Sequence, residues 1–171
     1  MATPETELTS YFQVAGIHGL PFISWDGVNP APGEGVINGY CTHSNTLFPT
    51  WHRPYLALIE QVIAGHAQTL AKTYPAATRA TYQAAADNVR LPFWDWAAIP
   101  QRFPDVLTWP TVQITTPTGV KNVTNPLYNY KFLSNPEPPE WFPAGDPLGN
   151  CPTTVRCPDQ NYTVSEQHHR L

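Results

Sequence analysis

The chain is poor in charge. Of its 171 residues only 13% are Asp, Glu, Lys or Arg, about half the usual quarter. Nine Lys and Arg stand against 13 Asp and Glu, a net charge of −4. That balance lacks the broad basic footprint with which proteins grip nucleic-acid phosphates, so a nucleic-acid partner is excluded. No apolar run approaches the roughly 18 residues of a membrane-spanning helix. The opening Met-Ala-Thr-Pro-Glu-Thr-Glu lacks the basic-then-apolar layout of a signal peptide, and a soluble, cytoplasmic chain is expected. Cysteine is scarce at three, and no internal repeat is visible.

Proline and aromatic residues are abundant. There are 20 Pro, roughly 12% against an average near 5%. Six Trp, eight Tyr and seven Phe, with 42% hydrophobic content, argue for a folded chain of about one domain. Between Pro54 and Pro92 only Pro75 interrupts, so the middle is the helical part and the flanks are loops.

A short helix is expected from Tyr11 to Ile17, stopped by His18-Gly19 and Pro21. From His52, the residues Leu56, Ile59, Ile63 and Leu70 recur on one face of a longer helix. Thr50 is expected as its cap and Pro54 within its first turn, where the missing N–H breaks no bond. A second helix from Ala76 or Thr78 to Val89 would pack antiparallel to it. Phe93-Trp94-Asp95-Trp96-Ala97 is bulky enough to plug the end of such a bundle. Two alternating runs, Val112–Thr116 and Val120–Thr124, flank Pro117-Thr118-Gly119 and predict a β-hairpin. Residues 146–171 read as an irregular tail.

Three of the six histidines, His18, His43 and His52, fall in the first 52 residues. Converging imidazoles form a metal site, whereas separate ones are ordinary helix-end or core histidines, and spacing alone leaves both readings open. His66 shares the His52 face but lies roughly 21 Å along the helix and cannot share an ion with it. His168 and His169 are adjacent, diverge by about 100° on a helix and do not chelate together. Asn122-Val-Thr and Asn161-Tyr-Thr are glycosylation sequons.

Cys41-Thr42-His43 followed by Phe48-Pro49-Thr50-Trp51-His52-Arg53-Pro54-Tyr55 resembles the first copper motif of tyrosinases, the type-3 copper oxidases, and especially their fungal members. The likeness extends to Ile17-His18-Gly19-Leu20-Pro21, to Trp94-Asp95-Trp96 and, more loosely, to Asn125-Pro126-Leu127-Tyr128, covering most of residues 10 to 145. It implies a mainly α fold: a single, partial tyrosinase-type helical bundle over 1–171 with long Pro-rich loops. It further implies copper held by His18, His43 and His52, with Cys41 bonded through sulfur to the His43 ring; the other reading of Cys41 is a buried thiol. Asp95 either orients a ligand ring or serves structure, as a helix cap or a partner of Arg53 or Arg90. Cys151 and Cys157 are then left over, able to close a small disulfide loop in an oxidising compartment.

The family's centre is a pair of coppers that bind dioxygen, the second held by a His-x-x-x-His pair and a further His. This sequence has no His-x-x-x-His. The resemblance therefore implies the first half of a polyphenol oxidase that turns monophenols and o-diphenols into o-quinones with dioxygen, the entry to melanin-type pigments. One copper per chain is expected. Phenolic small molecules and dioxygen are the expected partners if active, and self-association or a partner chain supplying the second copper is the expected route to completing the site. The alternative is a non-catalytic copper-binding or interaction protein; a dioxygen carrier, like the haemocyanins, would need both coppers too.

Overall fold

The computed structural model describes residues 3–19, 23–29, 40–95, 97–98, 104–132 and 152–154. Its elements are α1 (Tyr11–Gly16), α2 (Phe48–Ala71), α3 (Ala76–Asp87), a single 3₁₀ turn (Asp105–Leu107), β1 (Thr111–Thr116) and β2 (Gly119–Thr124). They fall into two compact units, Met1–Asn45 with Asn129–Leu171, and Thr46–Tyr128.

In the first unit α1 is short and depends on its cap. Ser10, only 2% exposed, accepts from Gln13 N through Oγ at 3.1 Å and donates to the Glu5 carbonyl at 3.3 Å. Replacing such a cap costs about 1 kcal/mol. Phe12, Val14 and Ile17 are buried, as is Phe132. Tyr130 stacks obliquely on Tyr11, meets Phe132 edge-on, and donates its hydroxyl to Glu5 Oε1 at 2.8 Å. Residues 152–154, within the expected irregular tail, pair with the chain before them: Phe132 N donates to Pro152 O at 3.1 Å and Thr154 N to Tyr130 O at 2.9 Å.

The second unit is a helical hairpin with a β-hairpin beside it. Glu60 on α2 accepts from Leu91 N at 2.9 Å, while Gln68, farther along, donates to Asp87 at 2.7 Å. Pairing that runs backwards in this way makes α2 and α3 antiparallel, as predicted. Tyr74 in the connection stacks on Tyr82 at 3.6 Å and donates its hydroxyl to Thr115 O at 2.6 Å, tying the helices to β1. β1 and β2 pair antiparallel from Thr111↔Thr124 to Thr116↔Gly119. Gly119 has φ +114°, open to glycine and not to a residue with a Cβ. Asn125 closes the hairpin's base: 2% exposed, it donates from Nδ2 to Val106 O (2.6 Å) and Trp109 O (2.8 Å) and accepts from Leu127 N at 3.0 Å.

Two expectations for α2 are corrected. The helix starts at Phe48, not His52, with Leu47 as its N-cap and Pro49 in its first turn. Thr50 therefore lies inside the helix, donating to Leu47 O at 3.0 Å, and caps nothing. Pro54 is an interior proline and leaves the Thr50 carbonyl without its helical N–H. The reason is that Pro49 pre-sets the first turn as well as Pro54 does, and Trp51 N already closes on Leu47 O at 2.9 Å. Of the cluster expected to plug the bundle end, Phe93 is instead 90% exposed. Leu56, Ile63 and Leu70 are roughly half exposed, as expected of a bundle with few surfaces on which to bury its apolar stripe.

Two tests follow from these contacts. Asn125→Ala strips three backbone groups of their partner at a buried position and should cost about 2–4 kcal/mol in urea unfolding. Bonds from Gln68 and then Gln83 hold the exposed Asp87 carboxyl below its ordinary pKa. Its stabilising contribution is thus present above the unfolded-state pKa and is lost as pH falls through the lower folded-state value. Gln68→Ala should move the Asp87 titration back up, as read by NMR.

Candidate metal centre

The site is assembled from chain ends and turns rather than from regular structure. His18 follows α1, its N–H donating to Ala15 O at 3.0 Å, and the buried Ile17 before it anchors the segment. The approach to Cys41 is fixed by Tyr40, whose hydroxyl accepts from Trp25 N at 2.7 Å and donates to the Val28 carbonyl. The turn that presents those groups needs left-handed backbone at Asp26 (φ +51°) and Gly27 (φ +74°). After His43 the chain turns sharply at Ser44 (φ +57°), and Asn45 Nδ2 donates to His43 O at 3.2 Å.

These anchors bring three predicted residues of the first unit together. The His18 and His43 rings meet edge to face with centroids 5.2 Å apart. Cys41 Sγ lies 3.6 Å from His43 Nδ1 and 3.5 Å from Nε2. One ligand atom from each of His18, Cys41 and His43 lies within 4.8 Å of the others. Cys41 is half-buried and is not in a disulfide; desolvation pushes its thiol pKa up, so the protonated form dominates at neutral pH. Between them the Thr42 hydroxyl is buried without a hydrogen-bond partner. Imidazole and thiol donors suit copper, zinc or iron rather than magnesium or calcium, so the donor set fits the metal implied by the sequence.

His52 lies on the first turns of α2, in the second unit, half-buried against Phe48 (4.1 Å) and Trp51 (4.9 Å). Its Nδ1 is 2.7 Å from the Phe48 carbonyl. A carbonyl only accepts, so Nδ1 carries the proton and Nε2 the lone pair. A ring whose other nitrogen is committed to a carbonyl is the usual arrangement of a metal-binding histidine.

Asp95 is exposed, and its Oδ1 accepts from Ala97 N at 3.0 Å, capping its own turn. His66 is exposed on α2. Asn122 is exposed on β2. Cys151, Cys157, Asn161, His168 and His169 lie outside the described residues. Sequence reasoning missed Tyr40 and Ser44 as positioning residues: one lies in a Gly- and Pro-rich stretch without periodicity, and the other bears no signature of left-handed backbone.

Residues 8–170 match the common central domain of tyrosinase. The chain is 43% identical over 169 residues to a tyrosinase of Neurospora crassa, covering 91% of this chain and 24% of that protein. It is 41% identical over 161 residues to polyphenol oxidase 2 of Agaricus bisporus, covering 94% and 28%. Among solved structures, a holo-protyrosinase from Aspergillus oryzae superposes with a TM-score of 0.82 at 31% identity, over 95% of this chain and 32% of that one. Recombinant mushroom tyrosinase gives 0.76 at 33% identity, over 97% and 31%. The chain thus spans about a quarter to a third of the length of these relatives, and within that span it belongs to the tyrosinase family.

Proposed function

We propose that this chain holds one copper ion through His18, His43 and His52, with Cys41 tethered to the His43 ring, as the first-copper portion of an oxidase acting on phenols. The observation that carries this reading is the meeting of His18, Cys41 and His43. His52 is proposed as the third imidazole because the Nδ1–H bond to Phe48 O leaves its Nε2 lone pair for a metal.

Bound copper supplies one-electron redox chemistry and affinity for dioxygen. The chain's own residues hold and orient. His18 and His43 present ring nitrogens from two anchored turns, which lowers the ordering cost of binding. Phe48 and Trp51 pack around His52 and restrict its ring. A Cys41–His43 bond would fix the second ring for good: a C–S bond replaces the thiol S–H and a ring C–H, with dioxygen taking the two electrons and two protons.

Oxidation of monophenols or o-diphenols to o-quinones is the proposed activity of the whole protein, with phenolic molecules and dioxygen as its partners. These 171 residues contain no His-x-x-x-His pair, which favours a second reading for them alone: copper binding without turnover. A second copper would come from the rest of a longer protein or from a partner chain. Asp95 is proposed as a structural cap rather than a ring-orienting carboxylate, because its described bond is local.

Metal analysis of the purified chain should find one copper, and oxygen uptake with catechol should be absent; two coppers per chain would refute the single-site reading. His43→Ala and His52→Ala should each abolish stoichiometric copper binding, whereas His66→Ala should leave it intact. Intact mass of copper-loaded, aerated protein should be lower by two hydrogens, and Cys41→Ala should not show that loss.

A further inference from the structure

The opening of α2 carries four aromatic rings that differ in what they can do with an electron. The His52 ring meets Phe48 at 4.1 Å between centroids and Trp51 at 4.9 Å, the latter edge-on. Trp51 in turn lies 5.2 Å from Tyr55, one helical turn on, with the two planes 31° apart. The Phe48 phenyl has no heteroatom to stabilise a radical and is inert, whereas indole and phenol are the side-chain rings that lose one electron most readily. His52, Trp51 and Tyr55 thus form a continuous file within one helix, and it ends on a half-buried phenol.

The electron count of a single-copper site calls for such a file. One copper(I) yields one electron, whereas the reduction of hydrogen peroxide to water takes two. We infer that Trp51 and Tyr55 are an electron relay from His52 that supplies the second electron when peroxide is reduced at this site. The relay rests on the copper reading of His18, His43 and His52 and adds to it a peroxide-reducing role. In balance, copper(I), hydrogen peroxide, the Tyr55 phenol and one solvent proton give copper(II), two waters and the Tyr55 phenoxyl radical. The peroxide O–O bond and the phenol O–H bond break, and two water O–H bonds form; Trp51 passes the electron and ends unchanged.

The relay draws oxidation away from the ligand, because an oxidising equivalent that stays at His52 attacks the ring that holds the metal. The Cys41 thiol is the competing donor, and in the tethered chain it no longer exists as a thiol. The stacked pair of Tyr74 and Tyr82 is too remote: Tyr82 adjoins Gln83, which bonds Gln68, roughly 24 Å along α2 from His52.

The full chain tests this when loaded with copper, aerated, and capped with iodoacetamide at any remaining thiol. It is then reduced with ascorbate under argon, freed of ascorbate and given one equivalent of hydrogen peroxide. Freeze-quenched samples should show a tyrosyl radical by electron paramagnetic resonance, narrowed by ring-deuterated tyrosine and lacking in zinc-loaded chain. Tyr55→Phe should lose the signal, and so should Trp51→Phe, which keeps the phenol but interrupts the file; Tyr82→Phe should keep it. Peptide mapping after longer exposure should find oxidation at Tyr55 in the wild type and a shift of it to His52 in Tyr55→Phe. Copper titration and circular dichroism should match between wild type and Tyr55→Phe, which separates loss of the relay from loss of metal or fold. Copper bound with no tyrosyl signal in the wild type, or with an equal signal in Tyr55→Phe, would overturn the relay and leave the copper site standing. Failure of the wild type to bind copper would overturn both.

Discussion

The candidate metal centre hangs on one contact, the edge-to-face approach of His18 and His43 at 5.2 Å. Neither ring belongs to a helix or strand. Each is delivered by a turn, and each turn is held by a neighbour: the buried Ile17 beside His18, and the Tyr40 hydroxyl, bonded to backbone at Trp25 and Val28, ahead of Cys41. Loosening either anchor separates donors that have little other reason to stay together. A metal site normally carries such supporting contacts, because the ligands must be ordered before the ion arrives for binding to be tight.

Apolar burial does little of the organising. Among the described residues the buried hydrophobics are Phe12, Val14, Ile17, Ala71, Tyr74, Ala86 and Phe132, two of them alanines. Polar anchors compensate locally. Ser10, Asn125 and Glu5 are buried, and each satisfies backbone or side-chain groups from elsewhere in its unit. Meanwhile the α2 stripe of Leu56, Ile63 and Leu70 stays half exposed.

Much of this was legible beforehand. The period of Leu56, Ile59, Ile63 and Leu70, the proline-free interval and the turn residues at 117–119 each encode a local geometry, and the helical hairpin and the β-hairpin both formed where expected. The start of α2 was misread because two prolines, Pro49 and Pro54, each satisfy the rule for a first turn, and local propensity cannot choose between them. Phe93 was misread because bulk and apolarity suggest burial, while burial needs a partner surface that no single segment encodes.

By itself the sequence determined the candidate ligands, the helical periods and the family likeness, since residue type, spacing and turn chemistry are local properties. Only the tertiary structure decided that Cys41 sits level with both nitrogens of the His43 ring, that His18 stands edge-on to it, and that the Nδ1–H of His52 is turned toward Phe48. Those facts depend on where distant turns stop, and left-handed residues such as Ser44 and Asp26 set that without any periodic mark in the chain.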